Sequence, residues 1–331
     1  MRITHDTLVN IAKETVKKRT LSDPELVAAY LTGSLRTENP FLGGATDIDI
    51  VFVHPGEPKI RREILPLTPE IHLDIRHNPR SEYEKPKELR VHPWLGPELY
   101  DPLPLYVTQH FFEFIQAGVR DKYHEPASVL ARARAVAVSA RQAWSDLQLS
   151  QATGPEQTLA YLAAVQLAAN AVALLSGNPL AERRFLLQFP ARAEAAGKPG
   201  LAAGLLGLLG ANQADAAMLA SFLPEWEKTF LEAAGSPLVE KRIAAARLGY
   251  YKLAFESMLA SETPQAVVWP LILTWTISVC VLPPMWKVHW RSASEKLGLE
   301  GESLNEKLDG LDHFLDDIEE MLEKQAASQG L

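Results

Sequence analysis

Two aspartates one residue apart, Asp47 and Asp49, lie inside the apolar run at residues 47–53. A run of this length and composition reads as a buried strand, and side chains in a strand alternate between faces. Asp47, Asp49 and Val51 therefore share one face, while Ile48, Ile50 and Phe52 share the other. The wholly apolar face is expected to pack against helices. The other brings two carboxylates together among apolar neighbours, which is costly unless a positive charge sits among them.

The flanking sequence supplies the rest of such a site. Residues 26–32 read as a buried strand ending at the small pair Gly33-Ser34, and residues 35–38 as a short helix or turn. Residues 39–46, with Pro40, Gly43 and Gly44, form a loop. Residues 59–65 are compatible with a hairpin strand or a short helix. Residues 70–76 read as a strand with Ile71, Leu73 and Ile75 on one face and His72, Asp74 and Arg76 on the other, closed by Asn78-Pro79. Residues 98–101 read as a last edge strand before Pro102, and residues 5–18 as a helix burying Leu8, Ile11, Ala12 and Val16.

Asp47, Asp49 and Asp74 converging on one place suit Mg²⁺, which takes oxygen ligands and commonly completes its shell with water and substrate phosphates. Two such ions can activate an attacking oxygen and stabilise a leaving one. Gly33 lets backbone approach a phosphate, and the N–H groups of a following turn together with the Ser34 hydroxyl can donate to it. A solvated edge strand with two exposed acids would also explain the alternation, but it leaves Gly33-Ser34 and Asp74 unaccounted for.

Thr32-Gly33-Ser34, a spacer of twelve residues, then Asp47-Ile48-Asp49-Ile50 resembles the signature of nucleotidyltransferases of the DNA polymerase β superfamily. Asp74 matches their third carboxylate on a later strand. Thr32 departs mildly from the usual apolar residue. The resemblance covers roughly residues 25–101. It implies that Asp47, Asp49 and Asp74 are catalytic and hold Mg²⁺, expected as two ions, with Asp74 helping to deprotonate or orient an attacking hydroxyl. It implies that Gly33 and Ser34 hold the β- and γ-phosphates of a nucleoside triphosphate, expected to be ATP. Arg36 is close enough in sequence to reach a phosphate and equally suited to be a surface arginine. Thr46 is expected to cap the turn into the strand.

From about Leu105 onward the pattern is helical, over residues 105–121, 126–149, 155–176, 180–196, 213–233, 237–260, 264–282 and 302–327. The expected class is α+β: a small mixed-sheet polymerase β-like domain at residues 1–104, then an all-α bundle at residues 105–331. This layout is similar to that of the antibiotic, aminoglycoside-type nucleotidyltransferases, whose second domain helps to form the substrate cleft. No aminoglycoside-recognition motif is present.

The resulting expectation is transfer of a nucleoside monophosphate to a hydroxyl of a small-molecule acceptor, releasing pyrophosphate. Transfer to a protein or RNA, and nucleotide sensing without turnover, are the alternatives. A net charge of −8 argues against general nucleic-acid binding. The single cysteine, Cys280, allows no internal disulfide and reads as a buried small hydrophobe. Residues 266–282 are short for a membrane span, carry Pro270, Thr274, Thr276 and Ser278, and read as a buried helix. With no secretory pattern at the N-terminus, a cytoplasmic location is expected, with a homodimer left open. Arg183-Arg184 is expected on a helix surface and Asn170 in an interhelical hydrogen bond. Tyr250, Tyr251 and Lys252 are weaker candidates for base or phosphate contacts. His72, His77 and His92 show no zinc-like spacing, and no zinc is expected.

Overall fold

The structure, a computed structural model, describes residues 4–331. Five strands form a mixed sheet in the order β3-β4-β2-β1-β5: β1 Ala28–Thr32, β2 Thr46–His54, β3 Arg62–Pro66, β4 Ile71–Pro79 and β5 Leu103–Val107. β2 and β4 run parallel at the centre, and every other neighbouring pair is antiparallel. The rest is mostly helical, so the class is α+β.

Helix α1 (His5–Ser22) starts at Thr4, whose hydroxyl accepts from the Thr7 N–H. It buries Leu8, Ala12 and Val16 against Ile48, Ile50, Phe52, Ile71, Leu73 and Ile75, the apolar face expected from the alternation. Val51 and Val53, on the aspartate face, join a second cluster with Tyr30, Leu89, Leu99, Phe112 and Ile115. That cluster is built by α2 (Pro86–Val91), α3 (Leu95–Tyr100) and α4 (Phe111–Arg120). Residues 98–101 are therefore helical at Glu98–Tyr100 rather than an edge strand, because Leu99 is buried against that face. The edge strand is β5, which pairs with β1 and carries the sheet past residue 104. Residues 105–107 are accordingly strand, not helix.

The helical body comprises α5 (Pro126–Leu149), α6 (Pro155–Ala173), α7 (Phe185–Ala195), α8 (Gly200–Leu208), α9 (Ala216–Ala234), α10 (Leu248–Leu259), α11 (Val268–Cys280), α12 (Lys287–Lys296) and α13 (Ser303–Ser328). Proline at the first turn of α5 and α6 needs no N–H there, and the expected starts at 126 and 155 hold. In α11 every residue from Val268 to Val279 is buried. Two of its threonines are paired: the Trp226 and Trp290 indoles donate to the hydroxyls of Thr274 and Thr276, each at 2.9 Å. Among the described residues no helix is long and apolar enough to cross a membrane. The acidic α13 docks on α5, where Arg141 reaches Asp316 at 2.6 Å and Glu319 at 2.8 Å.

One helix expected from sequence is broken. Across residues 237–260 only α10 is α-helical; before it come two 3-10 turns, Lys241–Ile243 and Ala245–Arg247, separated by extended Ala244. The break brings the Arg247 side chain to β4 and Arg242 to Glu182, contacts in which the buried guanidiniums find carboxylate partners. Gly43, at φ +62°, passes so close to α10 that a Cβ there would lie 2.0 Å from the Leu253 carbonyl oxygen. The loop before β2 is thus pressed onto the helical body.

Candidate functional site

The parallel register of β2 and β4 sets Asp47 opposite His72 and Asp49 opposite Asp74. Asp47, His72 and Asp74 are buried, and one ligand atom from each lies within 4.8 Å of the others. His72, for which no metal role was expected, stands inside this trio. The available signal was its place on the Asp74 face. Neither His72 nitrogen has a hydrogen-bond partner. Burial pushes the imidazole pKa down to about 4, with Arg247 and Arg183 acting in the same direction against Asp47 and Asp74. The ring is therefore neutral at physiological pH. Tyr250 meets it edge-on at 4.9 Å between centroids.

Asp49 adds its carboxylate beside the trio, turned to the Gly33 backbone. Gly33 adopts φ +70°, and a Cβ on it would lie 1.8 Å from Asp49 Oδ2. Only glycine allows both the left-handed backbone and the close approach. Burial holds the Asp49 carboxyl well above the usual range, and the charges of Asp47 and Asp74 add to this despite Arg76 and Arg247. The Ser34 hydroxyl lies 3.1 Å from that of Thr46. Thr46 itself is buried and donates to the Pro40 carbonyl at 3.1 Å, so it secures the turn into β2. Arg36 reaches away to Asp101, with Nη2 2.8 Å from Oδ2.

Asp74 carries two cations. Arg62 of β3 donates to it bidentately, Nε to Oδ1 at 2.8 Å and Nη2 to Oδ2 at 2.5 Å. Arg247 of the helical body reaches Oδ2 at 3.4 Å. Burial would raise this carboxyl, but the Arg62 hydrogen bonds and the charges of Arg62 and Arg247 outweigh it and hold it below its ordinary value. Behind Arg247, Glu182 accepts from the Tyr251 hydroxyl and pairs with Arg242 Nε at 2.9 Å. These groups tie the sheet to the helices through one buried ionic network.

The pair Arg183-Arg184 is not on an open helix surface. Arg183 is buried, lies 3.3 Å over the Tyr250 ring and donates to the carbonyls of Tyr250 at 2.9 Å and Ala45 at 3.3 Å. Arg184 donates to the Phe41 carbonyl at 2.9 Å. Both brace the loop that leads into β2. Tyr250 and Tyr251 are buried, Tyr250 beneath Arg183 and Tyr251 beside Arg247, and Lys252 pairs with Glu227 at 2.9 Å. Asn170 accepts from the Leu180 N–H at 2.8 Å, fastening the loop after α6 rather than a neighbouring helix.

No family model matches the chain, and no curated protein matches it. The geometry alone speaks for the site.

Further along the aspartate face, Arg76 and Asn78 line a cleft of about 620 Å³ with Ser81, Glu82, Lys85 and His92. Arg76 is paired with Glu98 and is among the charges acting on Asp49. The cleft thus lies along β4, beyond Asp74 on the same face.

Proposed function

We propose that this chain is a divalent-metal-dependent nucleotidyltransferase with a polymerase β-like sheet domain, moving a nucleoside monophosphate from a nucleoside triphosphate to a hydroxyl of a small-molecule acceptor. The observation that carries the reading is the packing of Gly33 against Asp49 while Asp49 faces Asp74 across paired strands. A tight glycine turn beside clustered carboxylates is what a triphosphate–metal complex needs: backbone N–H groups for the phosphates and acids for the cation.

The donor set fits a cation, since Asp47, Asp49 and Asp74 share one sheet face and the unpartnered His72 imidazole has a ligand atom within 4.8 Å of Asp47 and Asp74. Asp47, Asp49 and Asp74 would hold the divalent cation, which would supply charge stabilisation at the reacting phosphorus. Gly33 and Ser34 bind the β- and γ-phosphates. Asp74, kept ionised by Arg62, orients the acceptor hydroxyl. The acceptor oxygen bonds to the α-phosphorus, the bond from that phosphorus to the bridging oxygen breaks, and pyrophosphate departs with that bond's electron pair. The hydroxyl proton passes to a carboxylate of the pair Asp49 and Asp74, which face each other across β2 and β4. The cleft at Arg76 and Asn78 offers room for acceptor or base.

A pyrophosphate-release screen with Mg²⁺, each nucleoside triphosphate and panels of antibiotics, metabolites, RNA and proteins tests the reading. Release dependent on one acceptor class supports it and names the acceptor. Failure to bind every triphosphate in titration calorimetry would sink it. One observation favours a second reading, nucleotide sensing without turnover: both Asp74 oxygens already accept from arginine. Triphosphate binding without release for any acceptor would select that reading.

A further inference from the structure

Among the buried polar side chains, His72 is the least accounted for by packing. It is fully buried, and both ring nitrogens lack a partner. Leaving a buried polar group unsatisfied costs the desolvation of that group with nothing to offset it. A core histidine ordinarily avoids this by bonding a backbone carbonyl or a carboxylate. His77 does so, with Nε2 2.8 Å from Glu63 Oε1 and Nδ1 2.8 Å from His54 Nε2. His72 instead sits opposite Asp47 in register, two residues before Asp74, with a nitrogen near one oxygen of each.

We infer that Asp47, His72 and Asp74 form a mixed nitrogen–oxygen site for one first-row transition dication, for which Mn²⁺ serves as the paramagnetic probe, rather than an all-oxygen Mg²⁺ site. The inference deepens the metal-dependent reading above and rests on it for the site's purpose. Imidazole suits first-row transition dications such as Fe²⁺, Ni²⁺ and Zn²⁺, whereas Mg²⁺ takes oxygen ligands and gives up water reluctantly. A neutral imidazole has a lone pair free for a metal, and an ionised carboxylate has about four acceptor positions. Arg62 and Arg247 occupy three of those on Asp74, leaving one on Oδ1. Asp47, whose carboxylate belongs to the same group, is engaged by neither of those arginines and can give its oxygens.

The test is Mn²⁺ alone, added to metal-free full-length protein without nucleotide and followed by electron paramagnetic resonance. The expected result is one bound Mn²⁺ per chain whose spin-echo envelope carries histidine nitrogen modulation. The modulation should change when isotope-labelled histidine is incorporated. In His72→Gln it should vanish and binding should weaken by at least about tenfold. Bound Mn²⁺ without nitrogen modulation, modulation that persists in His72→Gln, or no Mn²⁺ binding would each overturn the inference. Should His72→Gln fail to fold, the labelled wild-type protein decides by itself. Pyrophosphate release with Mg²⁺ as the only metal, in the absence of nitrogen-coupled Mn²⁺, would reject this site while leaving nucleotidyl transfer intact. Nitrogen-coupled Mn²⁺ without release under either metal would establish the site and reject the transfer.

Discussion

Gly33 leaves empty the space that Asp49 fills: a Cβ on Gly33 would stand 1.8 Å from Asp49 Oδ2. The turn after β1 and the carboxylates of β2 are therefore one packed unit, and neither can be altered without moving the other.

Gly33→Ala is expected to abolish transfer and to destabilise the fold. A non-glycine residue at φ +70° costs about 1–3 kcal/mol, and displacement of Asp49 adds to that. Thermal unfolding followed by circular dichroism and a pyrophosphate-release assay on the same sample check both halves. An active, equally stable alanine variant would contradict the packing.

Asp49→Asn should lose activity and gain stability. The Asp49 carboxyl is held well above its ordinary pKa by burial and by Asp47 and Asp74, so its ionised form is costlier in the fold than in the unfolded chain. A neutral isostere removes that penalty, with a melting temperature higher by on the order of 2 °C. Transfer should fall by at least about 100-fold once the acid is gone. Calorimetry at pH 7 reads the first effect and product release the second.

Arg247→Met should be strongly destabilising, by about 3–5 kcal/mol, because it strips charge partners from Asp74 and Glu182 in a buried setting. It should also move acid unfolding to higher pH. Burial raises the Glu182 carboxyl, but Arg242, Arg247 and the Tyr251 hydroxyl hold it below its ordinary 4.5. Its contribution is thus complete above about pH 4.5 and lost as pH falls through the depressed value. Without Arg247 that loss begins nearer neutrality, which fluorescence-monitored acid titration of both proteins would reveal.

Cys280 should alkylate slowly. Burial pushes its thiol up to about 11, with Glu156 adding to the effect and Lys287 opposing it. The thiolate is the reactive species, so the iodoacetamide rate should keep climbing through pH 10. A plateau near pH 9, measured by mass spectrometry, would mean an unperturbed thiol.

Much of the sheet was legible because strand periodicity is local. Alternation in residues 47–53 and 70–76 assigned the aspartates and His72 to the faces they occupy, and the Gly33-Ser34 turn announced the end of β1. Residues 98–101 misled because four residues with Leu99 and Tyr100 between two acids are too short to show a strand or a helical period. Burial of Leu99 against Phe112 and Ile115 decided for the helix.

By itself, the sequence determined which residues share a face, since that follows from backbone geometry over a few positions. Tertiary structure alone decided the register that sets Asp47 against His72, and the arrival of Arg247 at Asp74 from 173 residues away. It also turned Arg183 from an expected surface residue into a buried brace under the loop before β2. Charge pairing across such separations leaves no periodic trace, because each partner is chosen by where the folded chain returns.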